Sequence, residues 1–115
     1  MSTRIRRNII DAQRAHASVF SALGDEKRLT LLMKLCRGRP QSIAELTEGS
    51  TLTRQAITKH LRVLETAGMV RSVRQGRKCL FRFKREPLEE VRRYLDQVSA
   101  QWDEALGRLK SFVEE

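Results

Sequence analysis

Residues Ile5, Ile9, Ala12, His16, Val19 and Leu23 recur at alternating steps of four and three. That spacing lays one stripe along a helix running from about Arg4 to Ala22. Gly24 interrupts the pattern, and Asp25 has the side chain of an N-cap for a second helix. Leu29, Leu32, Met33, Leu35 and Cys36 are expected to point to the core from that helix, which Gly38-Arg39-Pro40 ends. Ser42-Ile43-Ala44-Glu45 has the form of a capping box and opens a short third helix to about Glu48. Gly49-Ser50-Thr51 makes a turn and Leu52 tucks inward. Thr53 then caps a fourth helix reaching about Ala67, with Gly68 as its stop. Two short helices joined by a tight glycine-containing turn form a helix-turn-helix over 42–67.

From Met69 the period shortens. Val70–Arg74 and Cys79–Phe83 read as strands, with Gln75-Gly76-Arg77-Lys78 as the turn between them, a wing over 69–84. Pro87 suits the first turn of a last helix over about 87–114. Along it Leu88, Val91, Leu95, Val98, Trp102, Ala105, Leu109 and Phe112 step by three or four, a near-heptad seam. At ~1.5 Å per residue such a helix is roughly 40 Å long. The expected fold is mainly α with a small β-hairpin wing. It comprises about five helices in a single winged helix-turn-helix domain over 1–115.

Charge sharpens this picture. The 115 residues carry a net charge of +9, which favours a polyanionic partner. Residues 1–39 hold nine Lys/Arg against three acids, 40–85 ten against three, and 86–115 four against eight. The last helix is therefore excluded as a phosphate-facing surface, and the helix-turn-helix and wing are favoured. Two cysteines are too few for a disulfide framework and fit a reducing cytoplasm. The apolar runs are too short to span a membrane, and the N-terminus lacks the apolar stretch of a secretion signal. A soluble cytoplasmic protein is expected. No nucleophile–base set, paired-carboxylate site or glycine-rich phosphate loop stands out, so neither catalysis nor a cofactor is expected.

On the fourth helix Ile57, Leu61 and Leu64 share one face at i, i+4, i+7 and should point inward. Thr53, Arg54, Gln55, Thr58, Lys59 and Arg62 then fall on the other side. A polar-faced helix followed by a basic hairpin is what a chain needs to enter a DNA major groove and hold the flanking backbone. Arg54 and Gln55, near the helix N-terminus, are the expected base readers, Arg for guanine and Gln for adenine. Thr53, Thr58, Lys59 and His60 are expected to position the backbone, with His60 alternatively a histidine bonded to its own turn. Arg74, Arg77 and Lys78 sit at or near the wing tip, within reach of a neighbouring minor groove or phosphate.

With these residues in view, the chain resembles the ArsR/SmtB family of winged helix-turn-helix repressors. The resemblance runs from Phe20-Ser21-Ala22-Leu23-Gly24-Asp25-Glu26-Lys27-Arg28-Leu29 onward and is most specific over Gln55-Ala56-Ile57-Thr58-Lys59-His60-Leu61-Arg62-Val63-Leu64-Glu65-Thr66-Ala67-Gly68-Met69-Val70. Gly76-Arg77, Phe81-Arg82-Phe83 and Glu86-Pro87-Leu88 match as well. It implies a homodimeric repressor of double-stranded DNA, dimerised through its first and last helices (1–23 and 87–114), from which a ligand releases DNA. Ile5, Ile9, Ala12, His16, Leu95, Val98, Trp102 and Leu109 are the implied interface. A dimer presents two recognition helices ~34 Å apart, so an imperfect palindrome is expected. Metal sensors of the family carry paired cysteines where this chain has Glu45-Leu46-Thr47-Glu48-Gly49, or ligands including histidine on the last helix, which has none here. The chain thus resembles the subgroup without those sites, and no metal is expected.

Cys36, beside Leu32 and Leu35, reads as a small buried hydrophobe, and Cys79, sharing a strand face with Phe81 and Phe83, reads the same way. The alternative is a thiol-responsive repressor using Cys36 and Cys79, in which Arg77 and Lys78 lower the Cys79 thiol. A third reading is an RNA-binding or protein-docking module, against which stand the mere six aromatic residues, nearly all placed on expected core or dimer faces. His16 reads as a core histidine or as a pH-sensitive group at the dimer seam.

Overall fold

The computed structural model describes residues 3–114; Met1, Ser2 and Glu115, which close the expected domain, lie outside them. Five helices and one hairpin follow in order: α1 (Thr3–Leu23), α2 (Glu26–Arg37), α3 (Ile43–Thr47), α4 (Arg54–Thr66), β1 (Val70–Gln75), β2 (Lys78–Phe83) and α5 (Glu86–Glu114). The winged helix-turn-helix architecture is the one expected.

Side chains close the orphan amides where each central helix begins. Asp25 accepts from the Lys27 and Arg28 amides at 2.9 and 3.0 Å. Ser42 accepts from the Glu45 amide at 3.1 Å while Glu45 accepts from the Ser42 amide at 3.3 Å, completing the capping box. Thr53 accepts from the Ala56 amide at 3.1 Å. At the far end of α4, Gly68 takes a φ of 78°, which a side chain would resist. Its amide bonds the Glu65 carbonyl and the Met69 amide bonds that of Leu64, both at 2.9 Å, the Schellman arrangement. Arg28 ties the first corner: its Nε donates to the Ala22 carbonyl at 2.8 Å and a terminal nitrogen to that of Ser21 at 3.1 Å.

The core gathers Val19 and Ala22 of α1, Leu31, Leu32 and Leu35 of α2, Leu46 of α3, Ile57, Leu61 and Leu64 of α4, Met69, Val70 and Phe81 at the wing root, and Val91 of α5. Two expectations are corrected here. Leu29, Met33 and Cys36 face outward while Leu31 is buried. Residues 29–36 are apolar all round except Thr30 and Lys34, so two helical stripes compete, and packing on α4 and β2 selects the one through Leu31, Leu32 and Leu35. Cys79 is exposed, although it does share a face with Phe81 and Phe83. The hairpin outruns the core beneath it, and Cys79 stands opposite Arg74 near the tip.

The strands pair from Val70↔Phe83 to Gln75↔Lys78, leaving Gly76 and Arg77 as a two-residue loop with positive φ at Gly76 alone. That is the pattern of a type II′ turn. Gln41 adds a bridge to the outer side of β2, exchanging bonds of 3.1 and 2.8 Å with Phe81. α1 and α5 meet where His16 stacks on Tyr94, ring centroids 4.8 Å apart. His16 is half-buried there, against its own chain's Tyr94. Beyond that contact the apolar stripe of α5 is open, Trp102 at 63% and Phe112 at 75% exposure.

The Asp25 carboxyl is held below the ordinary carboxylate range, first by the Arg28 amide, then by the Arg28 guanidinium and the Lys27 amide, against desolvation that pushes it up. A group lowered on folding contributes stability above its unfolded value, near ~3.9, and loses it as pH falls through the lower folded one. Urea midpoints measured from pH 7 downward should therefore fall less steeply for Asp25→Asn than for the wild type on the acid side. Parallel curves would contradict the cap's electrostatic role.

Candidate nucleic-acid interface

Ile57, Leu61 and Leu64 have no exposure, and their burial fixes the rotation of α4. At about 100° per residue, Gln55, Lys59 and Arg62 project on the opposite side, and all three are exposed. Thr53 and Arg54 are exposed at the helix N-terminus. The structure thus brings the expected base-reading and backbone-positioning residues to one end and one face of α4.

Two expected members sit differently. Thr58 is half-buried and its hydroxyl donates to the Arg54 carbonyl at 2.7 Å, so its proton is already committed. His60 lies about 200° around the axis from Thr58, on the opposite flank of α4. It is half-buried, and its charge contributes to lowering the Asp25 carboxyl at the head of α2. That leaves Thr53, whose oxygen serves as the cap acceptor while its hydroxyl proton stays free, as the better hydroxyl donor to a phosphate.

Among the described residues, ion pairs engage Arg28, Arg39, Arg85 and Lys110. Arg54, Lys59 and Arg62 on α4, and Arg74 and Arg77 on the wing, are in none of them. Lys78 is exposed and in no ion pair among the described residues; it lines a shallow hollow with Glu45, whose carboxyl is lowered chiefly by the Ser42 amide and least by Lys78. The recognition face and the wing thus each carry cations outside every ion pair of the described residues, whereas acids outnumber bases on α5.

Sequence reasoning missed Arg71 and Arg82. The strand register sets them directly opposite each other, both exposed and without an acidic partner among the described residues. Like charges so placed destabilise a hairpin, and an external anion would relieve them. Nothing short of the register could have paired them. The described residues hold no group of three or more His, Cys, Asp or Glu able to hold a metal ion.

Residues 25–72 match the family Bacterial regulatory protein, arsR family. The chain is similar to the HTH-type transcriptional regulator YuzN of Bacillus subtilis, 40% identical over 80 residues, 64% of this chain and 87% of that one. It is also 30% identical over 63 residues to the arsenical resistance operon repressor of the same organism, 55% of this chain and 60% of the relative. Among solved structures it resembles an ArsR-like transcriptional regulator from Rhodococcus sp. RHA1 with a TM-score of 0.81 and 38% identity, over 87% of this chain and 93% of that one.

Replacing Arg71 by Thr should raise the urea midpoint slightly, because the repulsion with Arg82 disappears. The same change should reduce the slope of log affinity against log salt on a DNA duplex by about one. A lower midpoint with an unchanged slope would mean that the pair is structural.

Proposed function

Because the chain belongs to the ArsR family of bacterial regulatory proteins, whose winged helix-turn-helix binds DNA, we infer a homodimeric transcriptional repressor that enters the major groove with α4. The observation that carries the reading is the combination of Gln55, Lys59 and Arg62 on one exposed face, and Arg54 exposed at the N-terminus of the same helix, with a basic wing that emerges from the same core. Arg54 and Gln55 read base edges; Thr53, Lys59 and Arg62 fix the helix on the phosphates; Arg74, Arg77, Arg71 and Arg82 hold the flanking backbone. Two copies of α4 address an imperfect palindrome with half-sites about one helical turn, ~34 Å, apart.

Dimerisation uses α1 and α5. Ile5, Ile9, Ala12, Leu95, Trp102 and Leu109 are exposed along these two helices, apolar surface that a second copy would cover. Val98 is half-buried, and His16 joins the seam through its stack on Tyr94. No helix among the described residues is long and apolar enough to cross a membrane. A thiol switch at Cys36 gains no support: although the residue is exposed, partial desolvation of its sulfur pushes the thiol up and favours the less reactive S–H form.

Binding to duplexes selected from random sequence tests these roles. Arg54→Ala or Gln55→Ala should relax preference at one base position by ~1–3 kcal/mol, whereas Arg77→Ala should weaken all sequences alike and flatten the salt slope by about one. Unchanged base preference and salt slope across the three variants would overturn the assignment.

A further inference from the structure

Behind the wing, the end of α2, the last residues of β2 and the first turns of α5 enclose an open groove of about 500 Å³. Its floor is apolar. Phe83 and Leu88 are half-buried there, and Cys36 supplies a wall. Partial desolvation pushes the thiol of the exposed Cys36 up, so near neutral pH that wall is uncharged S–H and repels no anion. Three charged groups line the rim. Arg85 and Glu89 are committed to each other, Nε to Oε1 at 3.0 Å. Arg92, one turn onward, forms no ion pair with any described residue.

We propose that this groove is an effector site for an amphipathic organic anion, a monocarboxylate with a medium-length hydrocarbon tail. The tail lies against Phe83, Leu88 and Cys36, and the carboxylate takes the planar fork of Arg92, which suits bidentate recognition. The volume is in the range of small-molecule sites, and the lining sets Cys36, Phe83 and Leu88 beside the charged Arg85, Glu89 and Arg92. A cation would meet Arg92 unfavourably, and a small polar anion would leave the floor wet. The groove also bridges two functional parts: Phe83 ends the wing strand, opposite Val70 at the foot of α4, and Arg92 lies on α5. A ligand and DNA that each favour a particular setting of the wing against α5 change each other's affinity by the same factor. That coupling, unlike the site itself, rests on the repressor reading.

The test is a ¹⁵N-edited NMR titration of the full chain with decanoate below its micelle concentration, beside decylamine and acetate. Decanoate alone should give saturable shifts at Cys36, Phe83 and Leu88. Arg92→Ala should weaken it at least about tenfold and Arg92→Lys should restore part of the loss, since a charge-assisted pair is removed and partly replaced. Arg93→Ala, outside the groove, should bind like the wild type. Equal binding of decylamine, affinity unchanged by Arg92→Ala, or shifts confined to residues 102–113 of α5 would overturn the site. With the groove saturated, operator affinity measured by anisotropy should change in the wild type and not in Arg92→Ala. An occupied groove with unchanged operator affinity overturns the effector role. Failure of the ligand-free protein to bind any duplex counts against the repressor reading and leaves the site standing.

Discussion

Burial of Ile57, Leu61 and Leu64 is the constraint from which the other features follow. These three side chains lock the rotation of α4 about its axis, so the polar residues on its other side have nowhere to go but outward. The same core takes in Met69 and Val70, the residues that leave the helix and begin the wing. Gly68 makes the link tight, its left-handed backbone closing the helix and turning the chain into β1 within one residue. Helix and wing are thereby held by one packed unit, which a device recognising a rigid duplex at two places needs.

Electrostatics and hydrophobicity divide the remaining surface. Basic residues without acidic partners cover α4 and the hairpin, whereas acids outnumber bases on α5. That segregation lets α5 carry an apolar seam for a second copy without competing for phosphate. The ledge between the two regions, where α2, β2 and α5 meet, is where a small ligand can act on both. Arg92, in no ion pair among the described residues, gives that ledge its chemistry.

Much of this was legible in the residues. The caps at Asp25, Ser42 and Thr53, the stop at Gly68, the turn at Gly76 and the inward face of α4 all depend on neighbours within a few positions, and the structure realises each of them. What failed depends on distant packing. The outward turn of Leu29, Met33 and Cys36 is decided by which stripe of a nearly all-apolar helix meets α4 and β2. The exposure of Cys79 reflects a hairpin longer than the core it crosses. The Gln41 bridge and the Arg71–Arg82 opposition exist only once a register is known. Within the candidate interface, the i, i+4, i+7 spacing picked out the buried face of α4. It did not foresee the Thr58 hydroxyl bonding its own helix or the His60 charge bearing on Asp25.

The most direct measurement of the central claim is amide shift mapping of labelled protein on a selected duplex. The outward face of α4 predicts the largest perturbations from Thr53 to Arg62 and at Gly76 and Arg77, with residues 99–113 of α5 far less affected than either. Saturating DNA binding that leaves α4 unperturbed while shifting α5 or the outer face of α2 would contradict it.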